Sequence, residues 1–292
     1  LQVYFNPNPF LLSLISPFKK NSFKIDDFNP NNFWVENKKK NLREHHNFLW
    51  LNLINRKTDE KNIKKIIYLW MLKYSNFKKN IWETSTLSSR LISWILNIDT
   101  IINNGSFDFK KKFFQNIISQ CNHIKRNIKF EKNNKKKIEV LTVLILSGLV
   151  FKEYEDNYKL GIKELEKFIK LSFDEDGFPL SRNPDDLVFF TKYFLLCHEN
   201  IKDAQYFIPG ILEEIIKKNL LCIKQIKTPN NYIPLFNGGV EENLLNLDEF
   251  IEKTKLSKKD KKNILGGIFH TKDKNQVLYF DIGSPPSKNF SK

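Results

Sequence analysis

One methionine, Met71, and three cysteines are all the sulfur this 292-residue chain carries. Cys121, Cys197 and Cys222 are scattered, odd in number and without Cys-x-x-Cys spacing. That pattern argues against a disulfide framework and against a zinc site, so the three read as core thiols and no metal is expected. No apolar run approaches the roughly 18 residues that a membrane helix needs. The longest, "VLTVLILSGLV", has the length of a buried core helix. Arginine is scarce beside lysine. The formal charge of +15 therefore rests on the cation less suited to bidentate recognition of phosphate or carboxylate. No nucleic-acid module and no Arg/aromatic interleaving are visible, which ranks nucleic acid last among the partners a basic chain suggests.

What is present is ordinary for a soluble globular protein: 41% hydrophobic residues and a mean hydropathy of -0.44. The abundance of Lys, Asn, Ile and Phe together has the look of AT-rich coding, and accounts for much of the charge. The remaining readings of that charge are an acidic polysaccharide or a membrane surface. The length allows one large domain or two smaller ones. The start, "LQVYFNPNPFLLSLISPF", has neither an initiator Met nor a basic segment, and prolines interrupt it, so it is a poor signal peptide. The end, "YFDIGSPPSKNFSK", follows strand-like residues with nothing to pair them. Both ends read as those of a fragment.

Residues 1 to 40 are aromatic and Asn/Pro-rich without clean periodicity, and predict an irregular arm. Helical patterns then follow one another. "REHHNFLWLNLINR" predicts one, with Thr58-Asp59-Glu60 as the cap of the next. "KNIKKIIYLWMLKYS" places Ile63, Ile66, Ile67, Trp70 and Met71 on one stripe. "TSTLSSRLISWILNIDTII" predicts a helix from a Thr/Ser cap to Asn104-Gly105. "DFKKKFFQNIISQCNHIKRNI", "KKKIEVLTVLILSGLVF", "YKLGIKELEKFIKLSF", "PDDLVFFTKYFLLCH" and "DAQYFIPGILEEIIKKNLLCIKQI" continue the series. Short polar connections make these successive antiparallel hairpins, and no fixed repeat period appears. "LDEFIEKTKLSKKDKKN" is a weak helix, and "GGIFHTKDKNQVLYFDIGSPP" reads as two strands joined at Lys272 to Asn275. The fold class is mainly α, with an arm over 1–40, a helical domain over 41–262 and a β-region over 263–292.

Five strings in order resemble the heparinase II/III family of polysaccharide lyases, over roughly residues 30 to 285. They are "FLWLNLI"; "WETSTLSSRLISWI", with Trp82, Arg90 and Trp94; "LTVLILSGLVF"; "DEDGFPLSRNP"; and "LFNGG" followed by "GGIFHTKDKNQVLYFDIGSP". The resemblance implies an α/α toroid of helical hairpins leading into a C-terminal antiparallel β-domain, here incomplete. It implies β-elimination on an anionic, uronic-acid polysaccharide or oligosaccharide, with no cofactor. It also implies a bacterial periplasm or cell envelope, with the cytoplasm an open alternative. Such chemistry needs a donor that stabilises the enolate and a Tyr or His within reach of the proton. The family draws an Asn-His pair and a Tyr from the toroid and a further His from the β-domain. Here the pair falls near Lys135-Lys136, the Tyr position is Asp186, and the β-domain His would lie beyond Lys292.

With those positions changed, the catalytic residues are unknown, and His45 or His46 are the replacement bases to consider. Adjacent helical residues point about 100° apart, so only one of them can face a groove. Trp82, Trp94 and Arg90 either stack a sugar and pair its carboxylate or belong to the core. Arg182, on the Asp-Gly loop, is the remaining carboxylate partner. Asn237-Gly238-Gly239 with Glu241 either line the toroid mouth or form an interdomain turn. His123 and His198 lie on amphipathic helices, packed or solvated, while His270 belongs to the β-region. The lysine runs "ENKKKNLR" and "EKNNKKKIE" read as solvated faces. Two functions follow: a lyase, or a non-catalytic glycan-binding or scaffolding relative.

Overall fold

The structure is a computed structural model that describes residues 1–18, 29–34, 42–55, 59–240, 244–273, 276–287 and 290. It divides into two compact units, Leu1–Ile162 with Asp203–Gln205, and Lys163–Lys202 with Tyr206–Lys292.

In the first unit a 3-10 turn, Pro9–Leu14, precedes α1 (Pro30–Phe33), α2 (Leu42–His46), α3 (Glu60–Tyr74), α4 (Thr84–Leu96), α5 (Ile98–Ile102), α6 (Phe107–Asn127) and α7 (Asn134–Val150). The expected α3 stripe, Ile63, Ile66, Ile67, Trp70 and Met71, is buried. Asp59 stands at the N-cap, while Thr58 lies outside the described residues. The helix expected over "REHHNFLWLNLINR" is broken. Phe48 takes a left-handed conformation (φ 58°), and Leu49–Leu53 continues as a 3-10 turn. Packing explains the break, because it turns the Phe48 ring into the core against Trp50, Trp70 and Trp94. Full burial of an aromatic of this size contributes about 1.5–3 kcal/mol, more than one residue of left-handed strain costs.

The helix expected over 84–102 also divides, into α4 and α5 at Asn97, whose amide donates to the Ser93 carbonyl at 2.9 Å. Its cap is the Glu83 carboxylate, accepting from Thr86 N–H, and not a Thr or Ser. α4 packs chiefly against α7, and both are buried nearly all round. That is why the sequence of α7 carries little amphipathic signal.

α8 (Glu155–Ser172) begins in the first unit and ends in the second. Gly148 of α7 admits it closely: a Cβ there would stand 2.3 Å from the Tyr158 backbone nitrogen. In the second unit follow α9 (Pro184–Asp203), α10 (Gly210–Ile226) and the short α11 (Asp248–Lys253). Phe168 and Phe173 interlock with Phe190 and Phe194 of α9. The string read as one helix from Asp203 divides, since Asp203 closes α9 and Pro209 caps α10.

The sheet has three strands where two were expected. β1 (Ile264–Leu265), β2 (Ile268–Lys272) and β3 (Val277–Asp281) pair antiparallel in the order β1-β2-β3. Gly266 and Gly267, both at positive φ, make the extra turn. The Lys272↔Val277 pair closes the expected hairpin, and Lys274 and Asn275 lie outside the described residues. The Tyr279 hydroxyl donates to the Ile226 carbonyl at 2.7 Å and fixes the sheet to the end of α10.

Candidate functional site

The Asp-Gly loop between α8 and α9 is held by side-chain and backbone hydrogen bonds along its length. Asp174 organises it, its carboxylate accepting from the N–H groups of Asp176 (3.0 Å) and Phe178 (2.8 Å). Burial pushes the Asp174 carboxyl upward. Gly177 stands at φ 82°, as an Asp-Gly turn requires. The Gly177 carbonyl accepts from the Asn219 amide of α10. Asn183 caps α9, its Oδ1 taking the Asp185 N–H at 2.9 Å, and Pro184 occupies the first turn. The Ser181 hydroxyl donates to the Asp186 carboxylate at 2.6 Å.

Arg182 and Asn237 are brought together here. Both are at positive φ, and the Asn237 amide donates to the Arg182 carbonyl at 2.9 Å. The following turn presses onto the helix cap, so that a Cβ at Gly239 would meet Asn183 Oδ1 at 2.9 Å. Glu241 lies outside the described residues. The Arg182 guanidinium does not project as a carboxylate partner. Its Nε donates to the Gly266 carbonyl and its Nη1 to those of Gly283 and Ser284. Nη2 reaches the Gly267 carbonyl and the Asp281 carboxylate. All five N–H groups of an arginine are thereby used to clasp the base of the sheet. A donor without a partner among the described residues does remain: Asn183 Nδ2, on a residue only 1% exposed.

In the first unit, Arg90, Trp94 and His46 converge, but inside the core. Arg90 is fully buried. It donates to Gln120 Oε1 (2.7 Å) and to the carbonyls of His46 (3.0 Å) and Ile81 (3.1 Å). Burial lowers its pKa to about 9, which still leaves it charged at neutral pH. His46 Nδ1 accepts from the Trp70 indole at 2.9 Å, and its ring stacks on Trp34. Burial, with Arg90 nearby, pulls its pKa to about 3. Its one lone pair is occupied, which removes it as a base. His45 is half-buried, edge-on to Phe33, as the spacing of adjacent helical residues demands. Trp94 is buried against Trp70 and Phe113, and its indole N–H has no partner among the described residues. Trp82 is buried too, with its edge on His123. His123 also faces Phe77, which is 64% exposed. Burial, and then Arg126, holds the His123 ring below its usual pKa.

Sequence reasoning missed a polar chain joining α2, α4 and α7. Arg43 donates to the Ser85 hydroxyl (2.6 Å), and Ser85 donates to Glu139 Oε1 (2.8 Å). A carboxylate within the apolar run of α7 was the signal. Beside it Lys136, expected on a solvated face, pairs with Glu83 at 2.7 Å. Burial opposes the Glu83 charge, yet the bonds from Lys136 and from the backbone of Thr86 and Ser85 hold its pKa below the usual value. Lys136 is where the resemblance puts half of an Asn-His pair. Among the described residues no group of His, Cys, Asp and Glu is arranged to hold a metal. No described helix is long and apolar enough to cross a membrane.

No family model matches this sequence, and no curated protein matches it. Solved structures do. A heparinase III superposes with a TM-score of 0.59 at 16% identity, over 85% of this chain and 45% of that one. The heparan sulfate lyase HepC from Pedobacter heparinus gives 0.55 at 16% identity, over 84% and 42%. A heparinase III with methylated lysines gives 0.58, also at 16%. The fold is heparinase-like. It is mainly helical, built of hairpins of the α/α-toroid class and followed by an antiparallel sheet. The chain spans less than half the length of these solved structures.

Proposed function

We propose that this protein binds an anionic, uronic-acid glycan at the capped end of α9 and that position 186 does not act as the acid/base of an efficient β-elimination. The heparinase-like fold supports the polysaccharide, since its solved neighbours include a heparan sulfate lyase. The observation that carries the reading is Asn183. Its buried Nδ2, without a partner among the described residues, is an amide donor at the positive end of a 20-residue helix, a suitable hold for a sugar carboxylate. Asp186 is a poor substitute for a tyrosine. Its Oδ2 already accepts from the Ser181 hydroxyl, and a carboxylate is a weaker base toward a carbon acid than a phenolate.

Two measurements test this. Affinity electrophoresis on a panel of uronic-acid polysaccharides should show retardation that Asn183→Asp weakens at least tenfold. That substitution keeps a cap acceptor for the Asp185 N–H but puts a buried carboxylate oxygen in the donor's place, so the melting temperature is read beside the retardation to separate lost binding from lost folding. The absorbance of unsaturated sugar ends should rise weakly or not at all with the wild-type chain. Robust elimination lost in Asp186→Ala would overturn the catalytic half, and unretarded migration would overturn the binding half.

A further inference from the structure

A second candidate site lies at the other end of α9. His198 follows Pro184 by fourteen residues, about 21 Å along the helix axis at 1.5 Å per residue. Beside it opens a cavity of about 380 Å³, within the range of small-molecule pockets. α10 supplies one wall with Glu213, Ile216, Lys217 and Leu220, spaced i, i+3, i+4 and i+7 on a single face. Thr254 and Lys255, just beyond α11, supply another.

The charges in this cavity are arranged unusually. Glu213 and Lys217 have the spacing and the order that favour an ion pair on a helix. Their neighbours Glu214 and Lys218 close such a pair at 2.7 Å, as do Glu249 and Lys253 at 2.6 Å and Glu155 and Lys159 at 2.9 Å. Glu213 and Lys217 do not. Glu213 instead turns toward His198, with Oε1 4.0 Å from Nε2. The imidazole is held from behind by Glu199, 2.8 Å from Nδ1, so Nε2 stays directed at the cavity. Lys217 and Lys255 enter no ion pair among the described residues, although the Asp260 carboxylate lies within electrostatic reach of Lys217. The cavity is thus lined by a carboxylate and an imidazole, by two ammonium groups, and by the apolar Ile216 and Leu220.

A purely anionic ligand would meet Glu213, and a purely cationic one would meet two lysines. We propose that the cavity binds a small zwitterion of the α-amino-acid type with an apolar side chain. Its ammonium group lies at Glu213 and His198 Nε2, its carboxylate lies between Lys217 and Lys255, and its side chain lies on Ile216 and Leu220. The site is independent of the glycan reading.

Isothermal titration of the full chain with L-leucine tests it. Saturable one-to-one binding is expected. 3-Methylbutylamine, which lacks the carboxylate, and 4-methylpentanoate, which lacks the ammonium, should each bind at least tenfold more weakly. Glu213→Gln and Lys217→Gln should each lose at least tenfold in leucine affinity, while Glu214→Gln on the same helix should not. No heat at millimolar leucine, either analogue binding wild type as tightly as leucine, or an unchanged affinity in Glu213→Gln would each overturn the proposal.

Discussion

The Arg90 guanidinium lies over the Trp70 ring, 4.5 Å from its centroid, in the core of the first unit. No carboxylate is among its hydrogen-bond partners. Two backbone carbonyls, an amide oxygen and an indole face hold the charge. The residue that sequence reading offered to a sugar carboxylate instead ties the break after α2 to the loop before α4.

A planar fork is what makes this arrangement possible, so Arg90→Lys should not be a mild change. A lysine cannot span both carbonyls and the amide. The expected loss is about 2–3 kcal/mol in urea unfolding, from carbonyls left without donors. A change below about 0.5 kcal/mol would show that the fork is dispensable.

His46 predicts a pH dependence. Its folded pKa, about 3, lies below its unfolded value of 6.5, so the unfolded chain binds the extra proton between these values. The contribution is fully present above pH 6.5 and is lost as pH falls toward 3. Between pH 7 and pH 4.5 the wild type should lose about 2–3 kcal/mol through this group alone. His46→Asn, which keeps an acceptor for Trp70, should remove that part of the loss. Parallel pH profiles of the two proteins in urea would refute the assignment.

Gly148 should tolerate no side chain. Because an added Cβ would meet backbone at 2.3 Å, α7 and α8 must move apart. Gly148→Ala should destabilise by about 1–3 kcal/mol, read as a lower urea midpoint. An unchanged midpoint would mean that the helices already have that freedom.

Arg182→Ala should loosen the sheet. Losing bonds from a charged donor to the Gly266, Gly267 and Gly283 carbonyls should cost about 2 kcal/mol locally, a roughly thirtyfold fall in protection. Hydrogen exchange of peptides covering β1 to β3 measures it, with α4 and α7 peptides as internal controls. Equal protection of the sheet in both proteins would deny the clasp.

The α3 stripe, the Asn183-Pro184 start of α9 and the Gly177 turn were all legible in the sequence. Each follows from rules acting over a few residues: periodicity, capping and glycine's tolerance of positive φ. The strings that suggested a lyase fold could be read for the same reason, as local patterns in order. The breaks at Phe48 and Asn97 were not legible. A left-handed phenylalanine is locally unfavourable, and only the aromatic core around it makes it stable.

The same division applies to the candidate sites. The sequence by itself determined that this is a mainly helical chain of hairpins ending in strands, and that position 186 carries an aspartate. Only the tertiary structure decided what Arg90, Arg182 and His46 do. An arginine reads alike whether it faces a sugar or a carbonyl, and the carbonyls of Gly266 and Gly283 are 84 and 101 residues from the side chain that claims them. Which of a side chain's donors are taken is a property of such long-range neighbours, and no local pattern encodes it.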